Sequence, residues 1–73
     1  MKKSIQLMII GKVQGVGFRY FCNIKARQLD VSGFVCNRAD GSVYAEAEGC
    51  EENLNAFVEY CRKGPGASRV VRL

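Results

Sequence analysis

A chain of 73 residues, 48% hydrophobic and 25% charged with one proline, reads as a single small globular domain over 1–73 and excludes disordered, collagen-like and low-complexity classes. Eleven basic residues against seven acidic ones give a net charge of +4, but the signs are segregated: residues 1–38 carry +6, residues 39–61 carry −6, and four further bases follow. That layout suits a small anionic substrate as well as a nucleic acid, and the absence of histidine excludes an imidazole base, nucleophile or zinc ligand.

From Ser4 to Val13 the chain alternates, with Ile5, Leu7 and Ile9 on one face and Met8 and Ile10 on the other. Apolar residues on both faces predict a central strand, covered or partly covered on each side. The apolar run is too short to span a bilayer and has no signal-peptide cleavage site. A soluble cytoplasmic protein without a membrane partner is expected. Gly11 to Gly17 holds three glycines and reads as a loop. From Phe18 the period becomes helical, with Phe18, Cys22, Ala26 and Leu29 on one stripe and a stop near Asp30.

Val31 to Asn37 reads as a second strand, and Asp40-Gly41 marks a turn. Ser42 to Glu48 alternates, with Val43, Ala45 and Ala47 inward and Tyr44, Glu46 and Glu48 outward. The two strands make a hairpin. Glu51 and Glu52 favour a helix N-terminus, Leu54, Phe57, Val58 and Cys61 form its stripe, and Arg62, Lys63 and Gly64-Pro65 close it. Ser68 to Leu73 begins another strand. The order βαββαβ, with two crossover helices on one face of an antiparallel sheet, predicts a ferredoxin-like α+β sandwich.

Four cysteines (Cys22, Cys36, Cys50, Cys61) raise the question of a disulfide framework. Without a signal peptide or C-x-x-C spacing, they read as buried or half-buried thiols, with neither a disulfide nor a bound metal.

The chemically informative stretch is Gly11 to Arg19. A glycine-bearing loop between a strand and a helix N-terminus presents backbone N–H groups that can converge on an anion. Gly15 and Gly17 remove the Cβ atoms that would hold a phosphate away, and Arg19 adds a planar two-pronged donor. Glycine loops of this kind are also simply tight turns. A cation in a first helical turn opposes the helix dipole, so Arg19 calls for an anionic partner. Asn37, just before Arg38-Ala39-Asp40-Gly41, has the type of a turn residue. Lys12 and Arg38 read as solvated bases near the site.

Gly11-x-Val13-Gln14-Gly15-Val16-x-Phe18-Arg19 resembles the signature loop of the acylphosphatase family. Gly33-Phe34-Val35-Cys36-Asn37-x-x-x-Gly41-x-Val43, followed by Gly49, resembles that family's second signature, and Gly64-Pro65 with Ala67 a third landmark. The resemblance runs from about Ile5 to Val71. It implies hydrolysis of the carboxyl–phosphate bond of small acyl phosphates, releasing carboxylate and inorganic phosphate without metal or cofactor. By the same resemblance Arg19 binds the phosphoryl group, Asn37 holds the attacking water, and Gly15, Val16, Gly17 and Phe18 form the phosphate-binding loop. The residue inventory is compatible, because a carboxylate leaving group with a conjugate-acid pKa of about 4 needs no general acid.

The chain departs from the family pattern at Cys36, where a lysine, arginine, glutamine or small residue is usual. The pattern also continues past Leu73, to complete the fourth strand and add a fifth beside the second. A truncated C-terminal strand is therefore expected, with a second strand open to self-association through its edge. The alternative function is an acylphosphatase-like domain that captures phosphate or carbamoyl phosphate without turnover. An RNA-binding sheet of the same topology is discounted and no nucleic-acid partner expected, because strand 42–48 exposes Tyr44, Glu46 and Glu48 rather than a stacking platform.

Overall fold

The computed structural model describes residues 2–14, 17–64 and 68–73. The elements are β1 (Lys2–Gly11), α1 (Phe18–Gln28), β2 (Ser32–Asn37), β3 (Val43–Cys50), α2 (Glu51–Lys63) and β4 (Ser68–Arg72). Neighbouring strands are antiparallel in the order β2-β3-β1-β4. Each helix carries the chain over one intervening strand, β3 for α1 and β1 for α2. This is the ferredoxin-like α+β arrangement expected from the element order.

Register decides what faces the helices. Leu7 pairs with Ala45 and Ile9 with Val43, while Val35 and Asn37 lie opposite Ala45 and Val43 on the other side of β3. Leu7, Ile9, Val43 and Ala45 are fully buried beneath Phe18 and Cys22 of α1 and Leu54, Phe57, Val58 and Cys61 of α2. Burial of each phenylalanine contributes roughly 1.5–3 kcal/mol. Phe21, Ala26 and Leu29 pack at the margin of this core.

The opposite face of the sheet is only partly covered, and Ile10 falls outside that cover. Met8 is only half-buried, Ile10 is 43% exposed, and no described helix covers them. Both crossovers leave the sheet on the same side, so apolar residues on the other side of β1 meet only lateral neighbours. There Phe34 and Tyr44 pack with ring centroids 6.0 Å apart, and the Arg38 guanidinium sits 4.7 Å from the Tyr44 centroid. Tyr44 donates to Glu46 at 2.8 Å, and that contact, before burial, raises the phenol above its ordinary pKa.

Helix ends follow local chemistry. Asp30 takes the left-handed conformation (φ 54°), with the Val31 amide donating to Ala26 O and the Asp30 amide to Arg27 O, which ends α1 in a Schellman closure. α2 carries Glu51 and Glu52 in its first turn and Arg62 and Lys63 in its last, as its dipole favours. β1 starts at Lys2 and β3 runs on to Cys50, both beyond the sequence expectation, because Lys2 and Lys3 pair with Cys50 and Gly49. β4 pairs with Leu7 to Gly11 of β1. No described helix is long and apolar enough to cross a membrane.

The cysteines divide by environment. Cys22 and Cys61 are fully buried with sulfurs 3.8 Å apart, a thiol contact well beyond disulfide bonding distance. Cys36 is half-buried, and Cys50, expected to be at least half-buried, is exposed at the start of α2.

Candidate active site

The site is built where β1 hands over to α1, beside the turn that joins β2 to β3. β1 ends at Gly11 (φ 130°), and the Val13 amide turns back onto Gly11 O at 3.0 Å. Val13 then buries its side chain in the core and pins the loop to the sheet. Gln14 reaches across to the β2–β3 turn, its amide nitrogen donating to Arg38 O at 2.9 Å and to Ser42 O at 2.8 Å. Gly15 and Val16, two of the expected loop residues, lie outside the described residues.

Gly17 begins α1 in the left-handed conformation, φ 78° and ψ 16°, with no side-chain cap and no acid in the first turn. The first helical bond runs from the Phe21 amide to Gly17 O at 3.0 Å. The amides of Phe18, Arg19 and Tyr20 therefore precede the helical ladder and carry the positive end of the dipole. Phe18 buries its ring in the core, so it can serve the site only through its backbone N–H. Arg19 is exposed, and among the described residues no acid pairs with it.

Asn37 arrives from the end of β2. Its register opposite Val43 turns it toward the helix side of the sheet. The turn behind it is firmly bonded: the Arg38 amide donates to Ser42 O at 2.8 Å, and Asp40 Oδ1 accepts from the Ser42 amide at 2.9 Å and hydroxyl at 2.6 Å. Those bonds to Ser42 hold the Asp40 carboxyl below its ordinary pKa.

A pocket of about 340 Å3 is lined by Val13, Gln14, Gly17, Phe18, Arg19, Tyr20 and Asn37. The structure thus gathers four of the expected site residues, Gly17, Phe18, Arg19 and Asn37, around one opening. It adds Gln14 and Tyr20, which were not singled out for a role; for Gln14 the available signal was its place inside the Gly11 to Arg19 motif. Lys12 is exposed, and Arg38 is stacked on Tyr44 on the other face of the sheet. A larger hollow of about 680 Å3 runs past Ser4, Gln6, Phe34, Glu46 and Glu48. Its two carboxylates outnumber its one guanidinium, that of Arg72, which donates to Asn55, and make it a poor seat for an anion. The smaller pocket instead combines a guanidinium, unladdered amides and a side-chain amide, with no carboxylate among the described residues that line it. Among the described residues no group of three or more acids or cysteines converges as a metal site.

Comparison with known proteins places this arrangement in context. The family model described as Acylphosphatase matches residues 5–73. An acylphosphatase of Salinibacter ruber is 48% identical over 69 residues, spanning 94% of this chain and 73% of that protein. The crystal structure of acylphosphatase from Bacillus subtilis superposes with a TM-score of 0.88 at 37% identity, covering all of this chain and 86% of that one. Full-length HypF, in its phosphate- and nucleotide-bound form, matches with a TM-score of 0.85 at 32% identity over 10% of its length.

Proposed function

This chain belongs to the acylphosphatase family and is a hydrolase of acyl phosphates; on that premise we propose that Arg19, Asn37 and the loop from Gly15 to Phe18 form its active site. What supports the assignment is the convergence of Arg19 and Asn37, from the start of α1 and the end of β2, on one pocket.

The guanidinium of Arg19 spans two phosphoryl oxygens while the amides at the start of α1 take up the remaining charge. The Asn37 side-chain amide orients a water for in-line attack on phosphorus. The new P–O bond forms as the bond to the carboxylate oxygen breaks, the electron pair leaves with the carboxylate, and the water proton passes to a phosphoryl oxygen. Since the carboxylate is a good leaving group, positioning and charge neutralisation supply the catalysis, and neither a general acid nor a metal is required. Capture of phosphate or carbamoyl phosphate without turnover is the disfavoured alternative. Glu46 and Glu48 on the open sheet face oppose a polyanion such as RNA. A reducing compartment, the cytoplasm, suits the buried thiol pair of Cys22 and Cys61.

Hydrolysis of benzoyl phosphate, followed with and without a chelator, tests this reading. Turnover unaffected by chelator is expected. Turnover that vanishes with chelator, or tight phosphate binding without turnover, overturns it.

A further inference from the structure

The geometry points to Gln14 as a positioning residue that ties the end of β1, where the phosphate-binding loop departs, to the turn that carries Asn37. Its side chain is the described hydrogen-bonded bridge between the two halves of the site. One amide nitrogen donates to two carbonyls, Arg38 O at 2.9 Å and Ser42 O at 2.8 Å. These carbonyls are the two that close the β2–β3 turn, since the Arg38 amide also donates to Ser42 O and the Gly41 amide to Arg38 O. Both –NH2 protons of Gln14 are thereby used, and each carbonyl uses two lone pairs.

The consequence for Asn37 follows from its place in the chain. It is the last residue of β2, it is exposed, and the next carbonyl along is the one Gln14 grips. Without that grip its backbone is held at the end of a hairpin by bonds within the turn alone, with no described bond tying the turn to the end of β1. On its other side Gln14 is anchored through the buried side chain of Val13. The fixed reach of one glutamine thus sets where the turn that carries Asn37 sits relative to the end of β1, beside the pocket that Arg19 and Asn37 share. A misplacement of about 1 Å at such a pair costs about a hundredfold in rate.

This inference rests on the proposed roles of Arg19 and Asn37, and its test separates the two. Gln14→Ala removes both donors. Gln14→Glu keeps the shape but presents carboxylate oxygens to two carbonyls. In both variants kcat for benzoyl phosphate should fall about 10- to 100-fold, and in Gln14→Ala, which adds no charge to the pocket, KM and inhibition by inorganic phosphate should change by less than about threefold. The glutamate variant should regain rate relative to wild type as its carboxyl protonates below about pH 5, because the acid form has a donor. Arg38 and Asp40, the charged side chains of the turn, are common to both proteins, so the ratio isolates position 14. Hydrogen exchange at the Arg38 and Gly41 amides should accelerate in Gln14→Ala under conditions where the fold remains cooperative. Unchanged exchange at those amides overturns the bridge, whether or not the wild type hydrolyses acyl phosphates. In Gln14→Ala, exchange that accelerates together with an unchanged kcat, or a phosphate affinity that falls as far as the rate, overturns the positioning role. Absence of wild-type turnover overturns the active-site assignment instead.

Discussion

The sulfur of Cys22 on α1 lies 3.8 Å from the sulfur of Cys61 on α2, with both side chains fully buried where the two helices meet over the sheet. The contact with Cys22, followed by burial, pushes the Cys61 thiol well above its ordinary pKa. A protonated, enclosed thiol is a poor nucleophile. Native protein titrated with a thiol reagent should therefore react first at exposed Cys50 and more slowly at Cys36, with Cys22 and Cys61 silent until unfolding. All four should titrate in the unfolded chain without reductant. Only two reactive groups after unfolding would indicate a disulfide.

Arg19→Ala should lower the rate of acyl phosphate hydrolysis by at least about 10²–10³-fold, the scale on which one preorganised donor acts. Phosphate inhibition should weaken in parallel. Because a cation in the first turn opposes the helix dipole, thermal stability should hold or rise slightly. An equal loss of stability and activity would instead mark Arg19 as structural.

Asn37→Ala should collapse turnover while inhibition by inorganic phosphate stays near the wild-type level, since the side chain is assigned to water rather than phosphate. Steady-state kinetics with phosphate as competitor separates the two. A matching loss of phosphate affinity would reduce Asn37 to a turn residue.

Gly33→Ala and Gly17→Ala should differ sharply, although both glycines have positive φ. At Gly33 (φ 141°) a Cβ would overlap the backbone carbonyl of Glu46, so the β2–β3 ladder must separate. At Gly17 (φ 78°) a Cβ meets nothing within 4 Å, leaving only the left-handed backbone penalty of about 1–2 kcal/mol. Denaturant melts should show Gly17→Ala folded and modestly weakened, and Gly33→Ala severely destabilised.

The Asp40 carboxyl is depressed by its bonds to Ser42, so its contribution to stability is present above the ordinary value of 3.8 and is lost as the pH falls below it. Asp40→Asn should lower stability in the neutral region and flatten the acid limb, so that the two profiles converge at low pH. Parallel pH-dependent melts of the two proteins measure the difference. Superimposable acid limbs would show that the turn does not titrate through Asp40.

Much of this architecture is legible in spacing alone. The α1 stripe of Phe18, Cys22, Ala26 and Leu29 and the α2 stripe of Leu54, Phe57, Val58 and Cys61 are local periodicities, and each helix forms within a residue or two of the expected bounds. The Gly11 to Arg19 motif likewise marked the loop that leads to the pocket. Other features needed the third dimension. The element order already puts both helices on one face, but only the packed sheet shows how far the other face stays open, with Ile10 43% exposed. Cys50 looks like its three fellow cysteines until the sheet register places it at an exposed strand end. Gln14 is one polar residue in a loop until the β2–β3 turn comes within 3 Å of its amide. Helix and strand formation depends on neighbours a few positions apart, which any reader of the chain can count. The meeting of Gln14 with Arg38 and Ser42, and of Arg19 with Asn37, depends on strand order and register, which are settled only when the whole sheet closes over its core.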